Sequence, residues 1–394
     1  MAIQDLDGLL AGGRAAGRRV FVRADLNVPL ARGRPSDDTR IRASLPTLRK
    51  LLSGGARVVV ASHLGRPKGE PRRDLTLRPV AARMAELLGT AVGFSEHTVG
   101  PAAEQRVAEL ENGQILLLEN LRFHPGETAN DADFAQALAA LCDVYVNDAF
   151  GTAHRAHAST AGIAAVVPEV AAGDLLQAEL RHLAVVRDPA RPLLCLLGGA
   201  KVSDKLAVLE ALAPHADVLA IGGAMAYTFL AAKGEPTGSS RVEADRVEDA
   251  RRVLAAVERA ERRLLLPTDH LVAEALEVGA PTRIVKEIPP GWMGLDIGPE
   301  TAAAYAQEAR TARTIFWNGP MGVFEIDDFA HGTETVALGV AESPGTSVVG
   351  GGDSLAAVNK LDLGSRIDHL STGGGASLEF VQGLELPGVT ALDR

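Results

Sequence analysis

Short apolar runs recur along this chain without any alternation of polar residues. They lie at 18–23, 57–61, 115–119 and 143–147, then at 193–197, 217–221, 263–266, 314–317 and 347–349. All are rich in Val, Ile and Leu, and most run into glycine or a polar cluster. A strand with one wet face alternates, so an unbroken apolar run predicts a strand covered on both faces, as in a parallel sheet. Helical periodicity fills the intervals. Val80, Met84, Leu87 and Leu88 mark one helix face, and Val202, Leu206 and Leu209 mark another on a helix beginning near residue 202. Strand–helix alternation throughout predicts an α/β fold of doubly wound parallel sheets with helices on both faces.

At 394 residues the chain has room for two or three domains. The longest helical stretch without a flanking strand is 174–187, with Leu176, Leu180 and Leu183 on one face and Asp188-Pro189 at its end. No Gly/Ser-rich or Pro-rich tract offers a flexible linker, so a connecting helix at 173–188 is expected between domains at 1–172 and 189–379. Hydrophobic residues make up 46% and charged residues 23%, the balance of a globular protein. No run approaches the roughly 18 apolar residues of a membrane span. The first residues lack a basic stretch before an apolar core, so no secretory signal is expected. Cys142 and Cys195 have no paired spacing, which argues against a disulfide framework or a thiolate zinc site and for a reducing cytoplasm. The net charge of −10 disfavours nucleic acid and anionic membrane as partners. An anionic ligand therefore needs a local basic cluster.

Ligands of open α/β sheets bind beyond the carboxyl ends of the strands. In the first half those ends carry Arg, His and Asn: Arg23, Asp25, Leu26 and Asn27 with Arg40 soon after; His63, Leu64, Gly65 and Arg66; Arg122 and His124; His154, Arg155 and His157. Guanidinium forks match phosphate and carboxylate through paired hydrogen bonds. One such residue is ordinarily a solvated loop residue. Clusters after four strands of one sheet predict a pocket for a small, multiply charged anion.

The second half answers with glycine. Gly198-Gly199-Ala200-Lys201 leads to Lys205; Gly222-Gly223 follows the next strand; Asn318-Gly319-Pro320 leads to Glu325; and Gly350-Gly351-Gly352-Asp353-Ser354 and Gly373-Gly374-Gly375 follow. Such turns let backbone N–H groups approach phosphate, and a helix N-terminus favours negative charge. Lys201 and Lys205, four apart, are expected to share a helix face. The outline is a nucleotide site, although neither GxxxxGK[ST] nor a GxGxxG after the first strand is present. Asp353 at a predicted helix start suits either an N-cap or contact with a magnesium ion.

RADLNVP, SHLGRP, LLLENLRFH, DVYVNDAFGTAHRAH, LGGAKVSDK, GWMGLDIGP, FWNGPMGVFE, GGGDS and STGGGASLE together make the chain resemble phosphoglycerate kinases over nearly its whole length. The resemblance implies two Rossmann-like domains joined by a helix, with a ligand cleft between them. It implies phosphoryl transfer from 1,3-bisphosphoglycerate to ADP, giving 3-phosphoglycerate and ATP, by a cytoplasmic, monomeric enzyme working on the Mg2+ complex of the nucleotide. Asp25, Leu26, Asn27, Arg40, His63, Leu64, Gly65, Arg66, Arg122 and Arg155 would bind phosphoglycerate. Gly199, Ala200, Lys201, Lys205, Gly223, Gly294, Asn318, Pro320, Glu325, Gly351, Gly352, Asp353 and Ser354 would bind nucleotide, with Asp353 toward the metal. Arg40, Lys205 and Gly352 would act on the transferring group. The last residues, roughly 380–394, would return to the first domain. A nicotinamide-dependent dehydrogenase would share the fold class but should carry GxGxxG and an acidic residue about 20 positions on. A non-catalytic anion binder has no use for the glycine turns and Lys205.

Overall fold

The computed structural model describes residues 3–393. The chain forms two compact units. One runs to Leu180 and resumes at Glu385, and the other is Arg181–Leu384, so the helix Asp174–Arg187 spans the division.

The first unit is built on a six-stranded parallel sheet in the order Val92–Ser95, Ile115–Leu118, Arg57–Ala61, Arg19–Ala24, Val144–Asp148, Val170–Ala172. Ile115–Leu118 and Val144–Asp148 are buried at every residue, which is why their sequences do not alternate. Val20, Val22, Val58, Val60, Leu117 and Val146 meet Leu48 and Leu51 of helix Thr39–Ser53 and Val80 and Met84 of helix Arg78–Leu88 in one core. The second of these helices has proline in its first turn and stops at Gly89, whose φ of 70° suits a residue without Cβ. Burying Leu48 completely contributes about 1.5–3 kcal/mol. The C-terminal segment is tied to the end of a central strand. Asn147 Nδ2 donates to the Gly388 carbonyl at 2.9 Å, and Gly388 N donates to the Ala153 carbonyl at 2.8 Å.

The second unit repeats the plan, with parallel strands in the order Arg263–Leu265, Val218–Ile221, Leu193–Leu197, Thr314–Asn318, Thr346–Gly350, His369–Ser371. Leu194, Leu196, Ile315, Trp317 and Val349 pack against Tyr305, Val336, Val340 and Val358. A separate antiparallel sheet, Thr282–Val285, His270–Ala273, Met293–Ile297, was not foreseen. Its strands are four or five residues long and carry His, Arg, Asp and Gly, so no apolar run announces them.

The strand order reverses between Leu193–Leu197 and Thr314–Asn318 in the second sheet, and between Arg19–Ala24 and Val144–Asp148 in the first, which also turns back at Ile115–Leu118. A crevice opens at such a reversal, beyond the carboxyl ends of the strands.

One helix starts later than its periodicity suggests. Residues 201–205 form a turn closed by Lys205 N donating to the Val202 carbonyl at 2.9 Å, and the helix is Leu206–Leu212 with Lys205 as its N-cap. Ser203 donates from both N and Oγ to Glu243, which ties the turn to another part of the unit. The buried face is therefore Val208, Leu209 and Leu212. Lys201 and Lys205 do not share a helix face, correcting that expectation.

Candidate functional site

In the first unit the loops after the strands interlock through their polar groups. Asp25, almost wholly buried, accepts from Arg40 Nη1 at 2.9 Å and from Asn27 N at 3.3 Å. Asn27 Oδ1 accepts from Gly65 N at 2.9 Å, and the Gly65 carbonyl accepts from Arg122 Nη1 at 2.8 Å. Residues from three strand ends and a helix thus form one chain of hydrogen bonds. Leu26 and Leu64 are buried, and their backbones are used within it: Leu26 N donates to Ser62 Oγ, while the Leu64 N–H and carbonyl both pair with Asn120.

The free ends of the cations converge beside this framework. A cavity of about 390 Å³ is lined by Arg66, Lys68, Gly69, Arg122, Thr128 and Arg155, with no carboxylate. Arg122 Nε is buried without a hydrogen-bond partner, and burial together with Arg23 and Arg155 lowers its pKa to about 10. Crowding of like charge around an unpartnered donor favours an anion there. His63 is buried beside these groups. Burial first, then Arg23, Arg122, Arg40 and His157, holds its pKa well below that of a free imidazole. His157 is pushed down to about 4, again chiefly by burial. Both rings are therefore neutral at pH 7. His124 lies away from this role, stacked on Phe134 at 4.0 Å and accepting from Gly126 N.

In the second unit the glycine turns crowd one another. A Cβ on Gly198 would stand 2.0 Å from the Pro320 carbonyl oxygen, and one on Gly223 2.5 Å from Gly199 N, so no side chain fits where the strand ends meet. Gly319 N donates to Ser354 Oγ at 2.6 Å, Met225 N to the Gly199 carbonyl at 3.1 Å and Gly223 N to the Met321 carbonyl at 2.8 Å. The Asn318 carbonyl accepts from Gly198 N and, at 3.5 Å, from Lys205 Nζ. Lys205, Gly199, Gly223, Asn318, Pro320, Gly351 and Ser354 are brought together. Burial lowers the Lys205 pKa to about 8 against the opposing fields of Asp353 and Asp204.

Helix Gly352–Lys360 takes Gly351, not Asp353, as its N-cap. Asp353 lies in the first turn with an exposed side chain, whereas Ser354 is buried and holds Gly319. Lys201, Ala200 and Glu325 are exposed, and no hydrogen bond joins them to this cluster among the described residues. Gly294 belongs to the antiparallel sheet, where its lack of a side chain admits the Tyr227 hydroxyl. Among the described residues no group of three or more His, Cys, Asp or Glu could hold a metal by itself. A lone exposed carboxylate suits magnesium carried in on nucleotide phosphates, because that ion keeps waters and needs few protein ligands.

Lys68 and Thr128 line the cavity, and Ser159 and Glu127 stand behind Arg23, without having been foreseen; Arg23 was foreseen at its strand end, but its complete burial was not. Lys68 stands two positions after Arg66 with φ 62°, a left-handed turn that no sequence period reveals. Arg23 lies inside an apolar strand and points inward, which the run of Val and Phe around it disguises.

A family model described as phosphoglycerate kinase matches residues 11–384. A phosphoglycerate kinase of Rubrobacter xylanophilus is 58% identical over 379 residues, covering 95% of each chain, and one of Anaeromyxobacter dehalogenans is 53% identical over the whole of both. Among solved structures, phosphoglycerate kinase from Coxiella burnetii superposes with a TM-score of 0.89 at 39% identity, covering 100% of this chain and 99% of that one. The Pyrococcus horikoshii enzyme gives 0.88 at 34%, covering 99% and 98%. With two parallel-sheet units, loop motifs in the family's order and full-length likeness all in agreement, the chain belongs to the phosphoglycerate kinase family.

Proposed function

We propose that the carboxylate-free, cation-lined cavity of the first unit holds the phosphate of phosphoglycerate and that the glycine turns of the second hold the nucleotide. The reaction is that of the family, a glycolytic phosphoryl transfer from 1,3-bisphosphoglycerate to ADP that yields 3-phosphoglycerate and ATP. The observation that carries the substrate assignment is the gathering of Arg66, Lys68, Arg122 and Arg155 around one cavity in a protein of net charge −10. Asp25, Asn27, Arg40 and His63 then face the glycerate portion, where Asp25 is the group suited to accept from a hydroxyl.

Phosphoryl transfer asks a protein for in-line positioning and for neutralisation of charge on the transferring oxygens. Asp353 would hold the magnesium of the nucleotide complex, directly or through water, and the ion would offset part of that charge. Arg40 acts from the phosphoglycerate set, Lys205 and the backbone at Gly352 from the nucleotide set. Direct transfer requires the two ligands to meet where water is excluded. Both half-sites are assembled from one chain, which supports action as a monomer, and the glycolytic reaction supports a cytoplasmic setting. No helix among the described residues is long and apolar enough to cross a membrane.

Titration calorimetry with each ligand tests the assignment. Arg122→Ala should weaken phosphoglycerate binding by about 1.5–3 kcal/mol, the scale of a hydrogen bond to a charged group, and Arg66→Ala should weaken it in the same direction. ADP binding should be unchanged, and equal losses for both ligands would contradict the placement. Asp353→Ala gives a second test. Since Gly351 is the cap, removing the carboxylate should shift stability by no more than about 0.5 kcal/mol, as at an ordinary surface position. Turnover and its dependence on magnesium concentration should fall steeply. A variant with normal turnover would take Asp353 out of the metal–nucleotide contact.

A further inference from the structure

We propose that Arg23 is a positioning residue that fixes His63 as a neutral imidazole with its proton on Nε2, so that the ring meets phosphoglycerate as a hydrogen-bond donor. The inference rests on the placement of His63 in the phosphoglycerate site given above. Arg23 is wholly buried, and each arm of its guanidinium is committed: Nε donates to Ser159 Oγ at 2.8 Å, Nη1 to the Ala24 carbonyl, and Nη2 lies 3.1 Å from His63 Nδ1. A guanidinium has donors only, so Nδ1 of His63 must be the acceptor. An imidazolium, or the other tautomer, would set N–H against N–H at that distance. One arrangement of the ring proton satisfies the contact, with Nδ1 bare and the proton on Nε2.

The surroundings agree with that state. The charged and titratable groups acting on His63 are Arg23, Arg122, Arg40 and His157, and all oppose a second proton on the ring. The nearby carboxylates are engaged elsewhere. Asp25 pairs with Arg40, while Glu127 accepts from Ser159 N at 3.0 Å and from Ser159 Oγ at 2.6 Å. Glu127 is itself fully buried and compensates the Arg23 charge at one remove, through the Ser159 hydroxyl. A buried guanidinium without a direct carboxylate partner is costly. Here it confers a defined tautomer on a ring that would otherwise divide between two. The ring then donates to an anion identically across the physiological range, and the net positive charge of the pocket resides on arginine and lysine.

The test is nitrogen-15 NMR of the histidine rings in the whole chain, with the His63 signals identified by their loss in His63→Gln. The expected result is a neutral ring with the proton on Nε2, unchanged from about pH 5.5 to pH 8, the range over which a free imidazole loses its charge. A proton on Nδ1, or an imidazolium at pH 7, overturns the proposal, and neither observation needs an Arg23 variant to fold. In Arg23→Met the ring should divide between tautomers. Phosphoglycerate should bind about 10- to 100-fold more weakly there, with ADP binding unchanged, while Arg23→Lys, which keeps a donor, should recover part of the loss. An Arg23→Met variant that folds and leaves the His63 signals as in the parent overturns the positioning role. If His63→Gln binds phosphoglycerate as tightly as the parent, the site placement fails while the tautomer result stands, so the two failures are told apart.

Discussion

Replacing Arg40 or Lys205 by alanine is expected to lower kcat by roughly 100- to 1000-fold, the loss seen when one preorganised electrostatic donor is removed from an active site. In the proposed function each serves a different ligand. Arg40 is held by Asp25 with a third of its side chain still accessible, and Lys205 leans on the Asn318 carbonyl in a half-buried position. Both are thus oriented before substrate arrives and retain capacity for a further acceptor. Charge that develops in the transition state is what they would stabilise, so KM for either substrate should move less than kcat. Arg40→Lys should rescue only partly, since an ammonium lacks the planar fork. Lys205 adds a pH signature. Burial lowers its pKa to about 8, so the ammonium is present below that value and lost as pH rises through it. The kcat/KM profile should fall above about pH 8, and Lys205→Arg, which stays charged, should lose that limb. Steady-state kinetics with both substrates varied decides the matter. An unchanged kcat beside a large rise in KM would demote both residues to simple binding groups.

Two glycines separate a structural from a chemical requirement. Gly352→Ala should fold normally, because nothing lies within 4 Å of the added Cβ and the position opens a helix, where alanine is favoured. Its kcat should nevertheless drop about 100-fold, the cost of displacing a reacting group by about 1 Å, since the methyl would stand where the backbone is to approach the transferring phosphoryl. Gly198→Ala should fail differently. Its Cβ would lie 2.0 Å from the Pro320 carbonyl oxygen and 2.8 Å from that of Gly319, so backbone must shift, at about 1–3 kcal/mol of overpacking, and ADP binding should weaken. Melting curves with ADP and phosphoglycerate titrations distinguish the cases. Normal turnover in Gly352→Ala would place the chemistry away from that turn.

The main sheets were legible because burial on both faces leaves its mark on every residue of a strand: LLCLL at 193–197 and ILLL at 115–118 have nothing polar to hide. The arginines were legible for the opposite reason, as polar clusters abruptly following such runs. What period and composition could not convey is local closure. Val202, Leu206 and Leu209 keep helical spacing, yet the Val202–Lys205 turn and the grip of Glu243 on Ser203 delay the helix to Leu206. Asp353 reads as a cap, but Gly351 takes the extra turn that makes it the cap instead. The antiparallel sheet around His270–Ala273 rests on pairing between distant short segments, with Val272 packed on Tyr227 and Trp292 as its small core. Ser354 illustrates the same limit inside a motif. Its neighbours are exposed glycine and aspartate, while its own hydroxyl is buried and anchors Gly319 from another strand end.

The proposed function makes the anion pocket and the glycine turns serve a single phosphotransferase. Formation of ATP from 1,3-bisphosphoglycerate and Mg-ADP by the purified whole chain tests it directly, with the Arg122→Ala and Lys205→Ala variants run beside it. The expected result is rapid ATP formation that requires both substrates, stops when magnesium is chelated and is impaired by either variant. ATP formation that survives both substitutions undiminished, or a folded parent chain that forms none, would contradict it.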